Sequence, residues 1–221
     1  LTARTTARFW PHEPLELLDP ETAVSVSAGL LQKSFAAMAA RGRVALALTS
    51  GWDSRTLLAA SRAVANQAWL YTAMYGELSE ESGDIRIPSA ICEMIGLDYH
   101  VLRCPKAMSE PFKTIYLRNN DPAHLFWGRI CQGMGGTYPK DTVAIRGNLA
   151  EIARCFYYKN GVYPGVVSAS DLARFARLPS SPFVERYTNA WFAGAQVVVD
   201  FGYRLLDFYY WESRMANWLG A

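Results

Sequence analysis

The run Thr49-Ser50-Gly51-Trp52-Asp53-Ser54-Arg55 brings hydroxyls, a glycine, a carboxylate and a cation together in one short stretch. That set suits a bound phosphate. The hydroxyls of Thr49, Ser50 and Ser54 can donate to phosphate oxygens, and Gly51 lets the backbone turn tightly and approach the anion. A helix that starts near Ser54 would leave its first N–H groups without intrahelical partners, and its dipole would favour an anion there. Asp53 is the odd member, because a carboxylate repels phosphate. It makes sense beside a divalent cation that also touches the phosphates. Arg55, in a first helical turn, is unfavourable against the dipole unless an anion is near. The plainer use of Asp53 or Ser54 is to cap the helix, and capping is compatible with phosphate binding. The run matches neither the G-x-x-x-x-G-K-[ST] loop nor the G-x-G-x-x-G loop.

The neighbouring segments say what positions this run. Val44 to Leu48 is a short, continuous apolar stretch bounded by Gly42 and by Ser50-Gly51. It reads as a central parallel strand buried on both faces, and open α/β sheets bind ligands outside the carboxyl ends of such strands. Glu21 to Arg41 reads as a helix with Val24, Leu30, Leu31, Phe35 and Met38 at helical spacing, stopped by Arg41-Gly42-Arg43. After the run come a helix over 54–66, a strand over 69–75 and a polar loop over 76–83. A helix over 84–95 follows, with Ile87, Ile91, Met94 and Ile95 on one face, Pro88 near its first turn and Gly96 closing it. Tyr99 to Leu102 reads as a third strand and Thr142 to Ile145 as a fourth. Between them, 107–136 has helical character broken by Pro111, by 119–122 and by Gly133 to Gly136. A helical turn is expected over 148–158, then aromatic-rich helices over 168–177 and 183–218.

The expected architecture is therefore α/β: a parallel sheet with flanking helices and right-handed crossovers, followed by a helical C-terminal extension. Residues 1–20, with Pro11, Pro14 and Pro20, form an extended lead-in. Residues 21–167 form the α/β domain, and 168–221 continue it.

Of the 221 residues, 51% are hydrophobic and 19% charged, and the net charge is +2. This is a globular composition with a weak charge bias, which argues against a nucleic-acid partner. No apolar run approaches a membrane span, and no signal peptide is visible, so no membrane association is expected. The cysteines at 92, 104, 131 and 155 form no C-x-x-C pair. They read as small buried apolar residues in a reducing, cytoplasmic compartment. The first residue is not Met, and the chain is expected to be part of a longer protein or a processed product. His12, His100 and His124 are far apart and receive no role. The aromatic residues Phe201, Tyr203, Phe208, Tyr209, Tyr210, Trp211 and Trp218 read first as core packing and second as a pocket or interface.

The stretch VALALTSGWDSR resembles the S-G-G-x-D-S signature of the PP-loop ATP pyrophosphatases, most closely the asparagine-synthase-like branch. Thr49 and Ser50 replace the usual Ser and Gly, while Gly51, Asp53 and Ser54 match. Glu81 to Asp84 and Leu97 to Val101 resemble later segments of that family. Ile145 to Glu151 resembles its G-x-G-x-D-E motif, with Asn148 and Leu149 as departures. Leu206-Asp207 to Arg214 resembles its L-x-x-E-x-R helix.

The resemblance implies the adenine nucleotide alpha hydrolase-like fold and ATP with Mg²⁺ as cofactors. It implies ATP contacts at Leu48, Thr49, Ser50, Gly51, Asp53, Ser54, Arg55, Met74 and Gly147, and metal binding by Asp53 and Glu151. The implied reaction activates a small-molecule carboxylate as its adenylate, releases pyrophosphate and passes the acyl group to an amine. Arg154 and Lys159 are further possible charge partners. The family's glutaminase Cys is absent, and its catalytic Lys would fall beyond Ala221, so a homo-oligomer or a further flanking polypeptide is a possible partner. The alternative is a nucleotide-binding or structural module that keeps the fold without turnover. A tRNA-thiolating role fits poorly, because paired cysteines and a strong positive charge are missing.

Overall fold

Among the described residues, regular structure begins at Asp19, whose carboxylate accepts the Thr22 N–H at 3.0 Å and caps α1 (Pro20–Ala39). The computed structural model describes residues 10–120, 125–148, 150–158 and 160–219, with side chains only to Ser213 at the C-terminal end. His124, Leu149, Lys159 and the side chains of Arg214 and Trp218 lie outside the described residues.

The chain then forms β1 (Arg43–Ala47), α2 (Trp52–Ala60), β2 (Trp69–Met74), α3 (Gly83–Ile95) and β3 (Tyr99–Arg103). These are followed by α4 (Glu110–Asn119), α5 (Leu125–Thr137) and β4 (Thr142–Ile145). The four strands make one all-parallel sheet in the order β3-β2-β1-β4. The expected α/β class, with a parallel sheet and flanking helices, is what the chain adopts.

The register explains the apolar pattern. Leu46 lies opposite Leu70 and Ile145, and on that face Val44, Leu46, Leu48 and Leu70 pack with Phe35, Leu58 and Cys92 from α1, α2 and α3. The other face pairs Ala45 with Trp69 and Ala47 with Tyr71. The small alanines leave room for the rings of Trp69 and Tyr71, which stack 4.7 Å apart and meet Met134 of α5 and Tyr138 just after it. β1 is thus buried from both sides, as its unbroken apolar run demands.

Three local expectations need correction. Val24 and Leu30 are 69% and 61% exposed, because α1 reaches the sheet core through Phe35, Met38 and Ala39 near its C-terminal end. In α3 the buried residues are Ile85, Pro88 and Cys92, while Ile87, Met94 and Ile95 are exposed. Pro88 lies inside the helix and has no N–H for the carbonyl of Asp84. The Thr72 hydroxyl lies 3.4 Å from that carbonyl but gives its one proton to the Leu48 carbonyl at 2.6 Å. Finally, α5 runs unbroken through Gly133, Gly135 and Gly136. Gly133 serves close packing, since a Cβ there would lie 3.2 Å from the Cα of Cys104 at the end of β3.

Asp19–Asn148 is one compact unit, and Leu149–Ala221 with the lead-in to Leu18 is a second. The expected division at 167/168 falls inside this second unit. It holds α6 (Ala169–Phe175), α7 (Pro182–Gly194), α8 (Gln196–Asp200) and α9 (Leu205–Leu219). The single long helix expected over 183–218 is interrupted at Ala195 and again at Gly202, whose φ of 84° is left-handed. The core of this unit gathers Tyr158, Leu172, Ala195, Leu206 and Tyr209. The lead-in belongs to it: the Leu15 N–H donates to the Phe201 carbonyl at 2.7 Å.

A capping box starts α6, with Ser168 and Asp171 exchanging side-chain and backbone hydrogen bonds. Bonds from the Ser168 side chain and backbone, then from Arg174, hold the Asp171 carboxyl down at about 2. A carboxyl depressed in the folded state adds stability above its unfolded value, and this is lost as pH falls through the folded value. An NMR titration of Asp171 should therefore give a midpoint near 2, with the cap failing between the ordinary carboxyl value of 3.8 and about 2. Among the described residues, no helix is long and apolar enough to cross a membrane.

Candidate functional site: the loop after the first strand

The order β3-β2-β1-β4 places a switch point between β1 and β4: the chain leaves β1 toward β2 on one side, while β4 lies on the other. Such a point opens a crevice at the carboxyl ends of the two strands. Thr49 to Gly51 leaves β1 there, and Arg146-Gly147 leaves β4. The two loops meet. A Cβ on Gly147 would lie 3.1 Å from the Asp53 Cβ, 3.2 Å from the Ser54 nitrogen and 3.3 Å from the Asp53 carbonyl carbon. Only glycine lets the β4 loop come this close to the start of α2.

Helix α2 starts earlier than expected, at Trp52, with Gly51 as its N-cap in extended backbone and no side-chain cap. Capping by Asp53 or Ser54, the plainer use considered for them, is therefore not what they do. Ser54 is buried, 5% exposed, and ties the loop together from beneath. Its hydroxyl takes the Thr49 N–H at 3.0 Å and lies within 3.1 Å of the Thr49 hydroxyl and of the Thr49 carbonyl. The Gly51 N–H donates to the Thr49 hydroxyl at 3.2 Å. Arg55 lies 4.5 Å over the Trp52 ring, with its Nε 3.4 Å from the Gly51 carbonyl. Leu48 serves the sheet: its N–H donates to Tyr71, and its carbonyl accepts the Thr72 hydroxyl at 2.6 Å. Tyr99 in turn donates to that hydroxyl at 2.6 Å, so a buried relay fixes the strand end beneath the loop.

Asp84 is the participant that motif reading left out of the site. Its Oδ1 accepts the Ser50 N–H at 2.9 Å and also the Ser50 hydroxyl. Its place at the start of α3, after the polar loop with Glu80 and Glu81, was the available signal. Met74 ends β2, and its carbonyl takes the Cys104 N–H at 3.0 Å.

The structure thus brings Leu48, Thr49, Ser50, Gly51, Asp53, Ser54, Arg55 and Gly147 to one crevice in the Asp19–Asn148 unit. Glu151 belongs to the other compact unit, in a short 3-10 turn over Ala150–Arg154, where Tyr210 donates to its carboxylate at 2.9 Å. Among the described residues, no group of three or more His, Cys, Asp or Glu side chains is placed to hold a metal ion. The uncapped helix start and the Gly147 cradle fit a phosphate group. The carboxylates expected to hold the metal lie one in each unit. Neither a family model nor a curated protein matches this chain.

Proposed function

We infer that this chain binds Mg-ATP at the β1–α2 loop. We further infer that it acts as an ATP-dependent amide ligase or amidotransferase of the asparagine-synthase-like type, on the adenine nucleotide alpha hydrolase-like fold. The observation that carries the reading is the meeting of Gly147 with the uncapped start of α2 at the β1/β4 switch point. When bound, ATP would supply the phosphoanhydride whose cleavage drives adenylate formation, and Mg²⁺ the positive charge that offsets it. Gly51 and the first N–H groups of α2 would bind the β- and γ-phosphates. Thr49 and Ser50 would contribute hydroxyls, and Arg55 would leave its position over Trp52 to add charge. Asp53 would hold the metal from this unit.

Pyrophosphate exchange into ATP, run with a panel of small carboxylic acids, tests this reading. Exchange dependent on an acid is expected, and Asp53→Asn should remove metal-dependent ATP binding. Mg-ATP binding with no exchange for any acid would leave the second reading, a nucleotide-binding module without turnover. One observation favours that alternative: both donors of Ser50 are turned inward onto Asp84.

The same pair gives a sharper expectation. Asp84→Asn keeps a hydrogen-bond acceptor for Ser50 but removes a negative charge from the edge of the phosphate site. In metal-free buffer, inorganic pyrophosphate should bind the variant roughly tenfold tighter in calorimetry, the effect of about 1.4 kcal/mol of lost repulsion. Equal affinities would mean that phosphate does not reach Ser50.

A further inference from the structure

A cavity of about 820 Å³ lies wholly within the unit built from the lead-in and the C-terminal helices. That volume is in the range of pockets for small organic ligands. Trp10, Tyr203, Phe208 and Trp211 line it. Trp10 organises this wall, with its ring 5.5 Å from Phe208 in a stacked arrangement and 5.0 Å from Tyr203 edge-on. Core packing, the first use expected for the aromatic cluster, therefore describes Phe208, Tyr209 and Tyr210 but not the whole set.

Two opposite charges also line the cavity, Arg204 and Asp207, at the start of α9. Tyr158 donates its hydroxyl to Oδ2 of Asp207, and among the described residues no donor reaches Oδ1. Arg204 makes a long 3.5 Å bond to the Tyr158 hydroxyl, and its guanidinium rests 5.7 and 5.8 Å from the rings of Tyr158 and Tyr163. No ion pair joins Arg204 to Asp207 among the described residues. Burial raises the Asp207 carboxyl above its ordinary value, against the opposing effects of Tyr158 and Arg204. The half-buried carboxylate has an unused oxygen whose desolvation a donor would offset, while the exposed Arg204 guanidinium keeps donors free at the cavity rim.

We propose that this pocket binds a zwitterionic α-amino acid with a large apolar or aromatic side chain, its ammonium on Asp207 and its carboxylate on Arg204. The side chain lies against the Trp10–Phe208–Trp211 wall, where ring faces also attract the ammonium. A ligand bearing only one of the two charges satisfies half of the polar end and leaves the other charge unpaired. This site is separate from the nucleotide reading and does not depend on it.

Calorimetry on the full chain tests the proposal with L-tryptophan, L-phenylalanine and L-leucine, beside tryptamine and indole-3-propionate as single-headed analogues. L-Tryptophan should bind at least about tenfold tighter than either analogue, the discrimination that one charge-assisted contact supplies. Asp207→Asn should weaken L-tryptophan while leaving indole-3-propionate bound at least as tightly, and Arg204→Gln should weaken L-tryptophan while leaving tryptamine bound at least as tightly, since each change also removes a like charge. A single-headed analogue that binds as tightly as L-tryptophan overturns the proposal, as does the absence of binding by all three amino acids at about 10 mM, where millimolar affinity is still visible. The ligand series on the unaltered protein decides the matter even if a variant fails to fold. A parallel Mg-ATP titration keeps failure of the nucleotide reading distinct from failure here.

Discussion

Gly147→Val should lower both the proposed Mg-ATP affinity and the stability of this protein. The added Cβ meets the Asp53 Cβ at 3.1 Å, the Ser54 nitrogen at 3.2 Å and the Asp53 carbonyl carbon at 3.3 Å. Two of these atoms are backbone at the start of α2, so no side-chain rotation relieves the clash. The β4 loop and the helix start must separate, which opens the crevice and re-aims the uncapped N–H groups. Overpacking of this kind costs about 1–3 kcal/mol, and an equal loss in binding is roughly a tenfold to hundredfold fall in Mg-ATP affinity. Gly29→Ala is the natural control. A Cβ at Gly29 meets nothing within 4 Å, and the residue sits inside α1. That change should leave ATP binding alone and raise stability by up to about 1 kcal/mol, the helix-propensity difference. Urea unfolding and calorimetry on both variants check the contrast. A Gly147→Val protein with normal affinity would mean that phosphate does not use this junction.

Leu46→Ala should be the most damaging single change to stability in the Asp19–Asn148 unit. Leu46 is fully buried, central in β1, and opposite both Leu70 and Ile145. Its face of the sheet is packed by Phe35, Leu58 and Cys92, so the neighbours come from three helices that cannot all relax into the space. Truncations of this type cost about 2–5 kcal/mol, a large share of the roughly 5–15 kcal/mol that holds a domain folded. A urea midpoint that falls with the slope unchanged would confirm a loss of stability without a change in compactness. A shift below about 0.5 kcal/mol, the range of ordinary surface substitutions, would contradict the assigned burial.

The sheet was legible because burial on both faces leaves a simple mark. Val44 to Leu48 has no polar position, and the strand boundaries fell within about a residue of those found, closer than the usual scatter of such boundaries. The loop stood out in the sequence because hydroxyls, a glycine and a carboxylate follow an apolar strand, and the structure gives several of them structural bonds: Ser54 to Thr49 and Ser50 to Asp84. What was hidden depends on contacts that no spacing records. The buried side of α3 runs through Pro88, a residue that spacing marks as a helix breaker and not as a core contact. Glycines in α5 read as breaks because their packing partner, Cys104, is distant in sequence. Asp84 escaped because its target, Ser50, lies on another element. Trp10 looked like part of a passive lead-in, since nothing in the first residues announces a ring partner some two hundred positions later.

That last contact governs how the chain must come together. Trp10 and Leu15 precede the Asp19–Asn148 unit in the chain, yet they complete a unit whose other parts begin at Leu149. The whole of Asp19–Asn148 emerges in between and can reach its native sheet while the lead-in still waits for Phe201, Tyr203 and Phe208. Closing so long an interval adds little entropy per extra residue, but it delays the contact and raises the contact order of the second unit. Through that delay an exposed tryptophan and the half-formed aromatic wall are available to the wrong partners. The enclosing unit can therefore be completed only after the whole of the inserted one has been made.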